Sequence, residues 1–282
     1  MRWQGRQGSG NIVDSRGRGG GGMAAGGGIG AIVIGLIYFF MTGDPSGLQQ
    51  APQATQPRGG AESGQPLAND TLAEFVSVVL KDTELTWGEI FRQQGETYQE
   101  PKLELFSGYV STACGQASSA VGPFYCPGNR QVYIDLNFYE QMRRQLNAPG
   151  DFAQAYVIAH EVGHHVQTLT GVSQQVNSAS QRVGEAERNR LSVMQELQAD
   201  CYAGVWAHHG QQRNQWLEEG DIEEALNAAS AIGDDALQKQ QQGYVVPESF
   251  THGSSAQRQR WFRVGFDSGD PQRCDTFNAT TL

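Results

Sequence analysis

Residues 151–169 read DFAQAYVIAHEVGHHVQTL and predict the helix on which the rest of the fold depends. Phe152, Ala155, Tyr156 and Ala159 recur at helical spacing, so one face of this helix is apolar. We expect that face to pack into the interior of a domain.

The same helix carries an HExxH motif. His160 and His164 lie one helical turn apart, so both side chains can reach a single ion. Glu161 is rotated by about 100° and can address the ion's open position without binding it. In this motif the glutamate serves as a general base. Gly163 weakens a helix, so its presence inside the motif predicts close packing beneath the metal.

A catalytic zinc usually has three protein ligands and one open position. The metzincin extension does not apply, because its glycine and histidine positions hold Gln167 and Thr170. In MQELQADCYAG (194–204), Glu196 and Asp200 are again one turn apart. Glu196 can complete a His–His–Glu site, and Asp200 can accept a hydrogen bond from a ligand histidine and fix its tautomer. The alternative is a solvated acidic helix face, which the apolar residues around the pair disfavour.

The segment THGSSAQR (251–258) supplies the fourth element of the predicted site. A histidine on a loop at the edge of a metal site can stabilise an oxyanion, and His252 is assigned this role. Arg258 holds the loop through a carboxylate or contacts substrate. The alternative for His252 is a capping role. The other histidines, His165, His208 and His209, are predicted to lie outside the site.

The N-terminal part of the chain differs in composition from the rest. Residues 23–41, MAAGGGIGAIVIGLIYFFM, carry no charge and approach the roughly 20 residues that span a bilayer. They predict an uncleaved transmembrane helix, although a buried helix of a soluble protein is the alternative. Residues 1–22 are then a low-complexity cytoplasmic leader whose arginines set the orientation. Residues 42–66 form a flexible linker.

This arrangement predicts a single-pass inner-membrane protein with residues 67–282 as an extracytoplasmic domain. Within that domain the patterns favour an α+β fold that is mainly helical with a small sheet. Strand character occurs at 102–108 and 130–139, and helical spacing at 71–80, 87–93, 138–146, 151–169, 190–209, 221–230, 234–242 and 256–266.

The charge and the cysteines constrain function and compartment. The formal net charge of the 282-residue chain is −10 with no long basic run, which argues against nucleic acid as a partner. An even number of cysteines in an exported chain favours disulfides. Sequence order suggests the pairs Cys114–Cys126 and Cys201–Cys274, with other pairings and four free thiols as alternatives.

HExxH followed by ExxxD resembles the gluzincin metallopeptidases, and a late histidine with an arginine six positions on is similar to their membrane-embedded members. The fragments that carry a closer resemblance are MRWQGR, GPFYCPGNRQVYIDLNFY, AYVIAHEVGHHVQ, ELQADCYAGVWAH and THGSSAQRQRWF. Together they resemble the bacterial putative neutral zinc metallopeptidase family, whose members carry an N-terminal membrane anchor.

The resemblance implies a zincin-like domain with Zn²⁺ on His160, His164 and Glu196, and with Glu161 as general base. It gives Asp200 and His252 supporting roles. The insert 170–190, TGVSQQVNSASQRVGEAERNR, separates the two motifs and is expected to form its own helix.

The leading hypothesis is a zinc metalloendopeptidase that acts on peptides or proteins outside the cytoplasmic membrane and is attached to that membrane by its N-terminal helix. A metal-stabilised binding or scaffold module with a peptidase fold is the second hypothesis, and a structural protein without metal is the third. The sequence predicts neither the physiological substrate nor the oligomeric state.

Overall fold

The computed structural model describes residues 1–17, 70–146 and 148–282. The predicted transmembrane helix (23–41) and linker (42–66) lie outside these ranges. The described residues form one mainly helical assembly with a small sheet, so the predicted α+β class is confirmed.

Helices make up most of the described chain. The α-helices are α1 (Thr71–Gln93), α2 (Asn137–Gln145), α3 (Asp151–Leu169), α4 (Val172–Ser180), α5 (Glu185–Asn214), α6 (Asp221–Ala231), α7 (Asp234–Gln242) and α8 (Ser255–Ser268). Short 3₁₀ turns occur at Ser119–Val121, Pro247–Ser249 and Pro271–Cys274. The bounds of α3 and α7 agree with the predicted bounds, and α4 is the helix expected within the insert.

A four-stranded sheet packs beside the helices. Its strands are β1 (Ile12–Asp14), β2 (Lys102–Phe106), β5 (Phe124–Cys126) and β6 (Gln131–Asp135), in the order β1-β2-β6-β5. β1, β2 and β6 are parallel to one another, and the edge strand β5 is antiparallel to β6. The strands β3 (Tyr109–Thr112) and β4 (Gly115–Ser118) form a separate hairpin that the sequence analysis did not predict.

Residues 1–17 belong to this domain, so their prediction as a separate leader is wrong. Ile12 pairs with Leu103 in the parallel register of β1 and β2. Met1 and Trp3 are buried in the same core as the helices, and the Trp3 ring meets Phe75 of α1 edge to face. Burying these large side chains stabilises the attachment of the first residues to the domain.

The prediction of a single-pass membrane protein with an extracytoplasmic domain must be corrected. Within the described ranges, no helix has the length and apolar character needed to cross a bilayer. The pairing of β1 with β2 also contradicts the predicted topology, because a single span between residues 17 and 70 puts these two strands on opposite sides of the membrane.

Glycines allow the helices around the site to pack closely. A Cβ at Gly163 of α3 lies 3.0 Å from the carbonyl oxygen of Ala199 on α5, so the predicted close packing at this motif glycine is confirmed. Gly204 of α5 and Gly265 of α8 are more restrictive, since a Cβ at either position overlaps the backbone of the other helix. The three helices α3, α5 and α8 are therefore held at backbone contact distance.

Two disulfides cross-link the described chain. Cys114–Cys126 joins the β3–β4 hairpin to the end of β5, and Cys201–Cys274 joins α5 to the last 3₁₀ turn. Both predicted pairings are confirmed.

Candidate metal centre

Three side chains from two helices converge at the crossing of α3 and α5. One nitrogen each of His160 and His164 and one oxygen of Glu196 lie within 4.8 Å of one another. His160 Nε2 is 3.1 Å from Glu196 Oε2, and His164 Nε2 is 3.4 Å from Glu196 Oε1. All three residues are buried. The structure thus brings together the predicted ligand set and rules out a solvated acidic face for Glu196.

The far side of His160 contacts a buried ionic cluster. Asp200 Oδ1 lies 2.7 Å from His160 Nδ1, so Nδ1 carries the proton and Nε2 points toward Glu196. Arg258 Nε donates to Asp200 Oδ2 at 2.8 Å, and the Tyr156 hydroxyl donates to the same carboxylate. Arg258 therefore binds a carboxylate, as one of the two sequence alternatives predicted.

The buried charges shift one another's proton affinity. Burial raises the pKa of Asp200, but Arg258 and His160 outweigh burial and lower it to about 2. Burial lowers the pKa of His160, but Asp200 and Glu196 outweigh burial and raise it to about 10. The site therefore favours positive charge at the position where the three ligand atoms meet.

His164 is oriented by an amide instead of a carboxylate. Its Nδ1 lies 2.8 Å from Gln167 Oε1, which leaves Nε2 facing the centre. Gln167 Nε2 donates to the carbonyl of Gln195 at 2.7 Å and to Gln198 Oε1 at 3.1 Å. Gln198 in turn donates to the carbonyl of Cys274 at 3.0 Å. This chain of amides connects one candidate ligand to the C-terminal disulfide.

Glu161 lines a cavity beside the three ligand atoms. Burial raises the pKa of its carboxyl, while the neighbouring histidines lower it by less. Among the described residues, Glu161 Oε2 and His164 Nε2 are buried polar atoms with no hydrogen-bond partner. Buried polar atoms without partners are costly in a folded chain. Both of these residues line the same cavity, so an ion or a ligand there would supply the missing partners.

His252 reaches the same cavity from the loop before α8. Gly253 follows it with φ of +93°, a conformation that favours glycine. Asp234, at the start of α7, accepts the backbone N–H groups of Thr251, His252 and Gly253 at 2.7, 2.7 and 3.0 Å. Its other oxygen is 3.1 Å from His252 Nδ1. Asp234 therefore fixes both the loop and the imidazole.

The donor set suits zinc. Two imidazole nitrogens and one carboxylate oxygen are the ligands of many catalytic zinc sites, in which a fourth position stays open. Each candidate ligand histidine is held by a hydrogen bond at Nδ1, as metal-binding histidines almost always are. Together with the two partnerless atoms, these contacts fit a bound cation.

The remaining histidines lie outside the site, as predicted. His165 is fully buried, with Nδ1 at 3.1 Å from the Tyr125 hydroxyl and Nε2 at 2.6 Å from the carbonyl of Gln99. His208 contacts the carbonyl of Phe266 in the last turn of α8, and His209 contacts that of Gly269 just after the helix.

Three residues of the site were not predicted. Tyr156 precedes His160 by four positions and Gln167 follows His164 by three, so helical spacing places both beside the histidines. The sequence showed Asp234 only as an acidic residue at the start of a predicted helix, where such residues are common. Its partnership with His252, 18 positions later, had no local sequence pattern.

Comparison with known proteins gives relatives over nearly the whole chain. The chain is 51% identical to the Uncharacterized protein YpfJ of Escherichia coli (strain K12) over 294 aligned positions, which cover 98% of this chain and 99% of the relative. It is 47% identical to the Uncharacterized protein Mb2605 of Mycobacterium bovis over 195 positions, which cover 66% of this chain and 65% of the relative. No solved structure matches the chain.

The family profile described as "Putative neutral zinc metallopeptidase" matches residues 1–277. This match includes residues 1–17, in agreement with their place in the sheet, and it includes all the residues of the candidate centre. A family with this description implies a metal, and the His160–His164–Glu196 group is able to hold one. The chain belongs to the Putative neutral zinc metallopeptidase family.

Proposed function

We propose that the protein is a zinc-dependent endopeptidase in which His160, His164 and Glu196 hold the ion. The observation that supports this proposal most strongly is the convergence of these three side chains on one buried point, with Glu161 beside them. A zinc ion there supplies Lewis acidity to the attacking water and to the scissile carbonyl.

Glu161 acts as the general base. Its carboxylate accepts a proton from the attacking water and passes it to the leaving amine, so that one water is consumed for each peptide bond broken. The buried oxygen Oε2 has no hydrogen-bond partner among the described residues and is available for this exchange.

His252 stabilises the oxyanion that forms on the attacked carbonyl. Its place in the wall of the same cavity brings the imidazole to the reacting group, and Asp234 holds it there. Arg258 and Asp200 position His160 and do not touch substrate in this mechanism.

The charged groups of the cavity favour cleavage within a chain over removal of terminal residues. An exopeptidase needs a charge to bind a terminal ammonium or carboxylate group. Arg258 is committed to Asp200 and Asp234 to His252, so neither offers a free charge to a peptide terminus. An internal segment of a peptide or protein therefore fits the cavity better than a chain end.

The test compares the zinc-loaded full chain with Glu161→Gln on a mixed peptide library read by mass spectrometry. We expect cleavage by the wild type, loss of at least 1000-fold in kcat/KM in the variant because the base is absent, and equal zinc content in both. Cleavage that persists unchanged in Glu161→Gln contradicts the assigned mechanism. Stoichiometric zinc without cleavage by either protein favours a metal-stabilised binding module instead.

A further inference from the structure

The cavity beside the candidate metal centre has an apolar wall. It encloses about 100 Å³, and His160, Glu161 and His252 are among the residues that line it. The apolar side chains of its lining are Val121, Phe138, Leu146, Val157, Ile232 and Leu237. A cavity with an apolar lining favours an apolar group of the ligand.

The apolar wall begins directly at the catalytic groups. Val157 precedes Glu161 by one turn of α3, so their side chains lie on the same face of the helix. Ile232 and Leu237 lie on either side of Asp234 in sequence, and Asp234 holds His252. A peptide whose scissile carbonyl lies between Glu161 and His252 therefore places an adjacent side chain against this wall.

The charges in the cavity do not favour a charged side chain. Arg258 is buried in its ion pair with Asp200, and Asp234 is buried with His252. Glu161 is the remaining described acid of the lining outside the ligand set, and the proposed mechanism assigns it to the attacking water. A lysine or aspartate side chain in the cavity therefore loses its hydration without gaining an ionic partner.

The cavity is larger than a packing defect. A cavity needs roughly 10–15 Å³ to hold a single water. At about 100 Å³, this cavity has room for several heavy atoms. Leucine and phenylalanine fill such a space and bury most of their apolar surface in it.

We infer that this cavity is the specificity pocket of the enzyme and that it selects a bulky apolar side chain, leucine or phenylalanine, next to the cleaved bond. The inference rests on the proposed peptidase function and adds its substrate class. Leu237, on the first turn of α7, is a lining residue that takes no part in the metal centre.

The experiment measures kcat/KM of the zinc-loaded full chain on peptides that differ only beside the scissile bond. The varied position holds leucine, phenylalanine, alanine, lysine or aspartate. One series of peptides varies the residue before the bond, and a second series varies the residue after it. We expect leucine and phenylalanine to exceed alanine by on the order of 10- to 100-fold on one side, and lysine and aspartate to be poorer than alanine.

Two variants test whether Leu237 forms part of the specificity pocket. Leu237→Ala enlarges the pocket, so we expect the leucine-over-alanine preference to fall by on the order of 10-fold and the phenylalanine-over-leucine ratio to rise. Leu226→Ala is the matched control, because Leu226 is a buried leucine of the neighbouring helix α6 that does not line the cavity. We expect it to keep the wild-type preferences, with melting temperature and zinc content reporting the folding of both variants.

Binding separates this inference from the proposed function. A fluorescent peptide with a central leucine, and its aspartate counterpart, are titrated onto the zinc-loaded Glu161→Gln protein and followed by anisotropy. Hydrolysis without preference for apolar residues on either side overturns the specificity pocket and leaves the peptidase function intact. Selective binding of the leucine peptide without hydrolysis by the wild type supports the pocket and contradicts the peptidase function. Absence of both hydrolysis and selective binding overturns both.

Discussion

His252 lies among charged groups from three helices. Asp234 of α7 is 3.1 Å from its Nδ1, and Glu196 of α5 and Arg258 of α8 also act on it. Burial lowers the pKa of His252, but the two carboxylates outweigh burial and the arginine and raise the pKa above its ordinary value. The imidazolium, which we propose as the donor to the oxyanion, therefore persists to higher pH than in an isolated histidine.

Replacing the partner carboxylate by an amide tests this role. In Asp234→Asn the pKa of His252 falls, so the protonated form disappears at lower pH. We expect the alkaline limb of the kcat/KM profile to move down by about one pH unit or more, while the acid limb stays in place. Asp235→Asn is the control, since Asp235 binds Ser255 instead of His252. An alkaline limb that does not move in Asp234→Asn contradicts the assignment.

Gln167 supports the centre from the other side. The substitution Gln167→Leu removes the acceptor for His164 Nδ1 and leaves that buried N–H without a partner. We expect zinc affinity to fall by about 10- to 100-fold, measured by competition with a chelator. Gln259→Leu, which removes a glutamine that bonds the Leu226 carbonyl away from the centre, serves as control. Equal affinities in all three proteins indicate that Gln167 does not orient the ligand.

The residues of the centre differ in how well the sequence predicted them. His160, Glu161 and His164 follow from spacing within one helix, and Glu196 from a second pair one turn apart. Asp234 was missed because its contact with His252 depends on how α7 packs beside the loop before α8. Local periodicity carries no information about such a contact.

At the scale of elements, long amphipathic helices were predicted well and polar interruptions were misread. Two helices, 71–80 and 87–93, were expected where α1 is continuous. The polar residues between them are buried and paired instead of forming a loop: Asp82 accepts from Trp206 Nε1 at 2.9 Å, and Glu84 accepts from Asn11 Nδ2 at 2.7 Å. Because those partners are distant in sequence, the segment resembled a break.

The crossing of α5 and α8 depends on glycine. In Gly204→Ala the added methyl overlaps the backbone of α8, so α5 must move away from Arg258. We expect the free energy of unfolding to fall by about 1–3 kcal/mol and zinc affinity to decrease with it. Chemical denaturation and zinc competition measure the two effects.

Gly88→Ala is the matched control for that crossing. Gly88 lies within α1, and a Cβ there meets nothing within 4 Å. We expect this variant to gain about 0.5–1 kcal/mol, because alanine favours a helix over glycine. A Gly204→Ala protein as stable as Gly88→Ala would show that the helices can separate without cost.

At the scale of the whole molecule, the N-terminal residues were the largest error of the sequence analysis. Reading hydropathy along the chain separated residues 1–22 from the domain, whereas β1 pairs in parallel with β2 some ninety positions later. A three-residue strand gives almost no periodic signal, and a parallel partner is always distant in sequence. The strand and the buried Trp3 join the beginning of the chain to its core.

The two disulfides differ in the length of chain that they close and in their connection to the candidate metal centre. Cys201–Cys274 closes 73 positions and Cys114–Cys126 closes 12. By loop-closure entropy, the first contributes about 4 kcal/mol and the second about 3 kcal/mol to the free energy of unfolding. Cys201 also follows Asp200 directly on α5, and the carbonyl of Cys274 accepts from Gln198, whose amide meets Gln167.

We therefore expect the double variant Cys201→Ala/Cys274→Ala to lose both stability and zinc affinity. The pair Cys114→Ala/Cys126→Ala is expected to lose stability alone, because neither cysteine belongs to the chain of amides that holds His164. Urea unfolding with a chelator present measures the stability of each metal-free chain, and competition titration measures its zinc affinity. If the two variants bind zinc equally well, the amide chain from Cys274 to His164 does not transmit the constraint, and α3 and α5 hold the centre without the C-terminal segment.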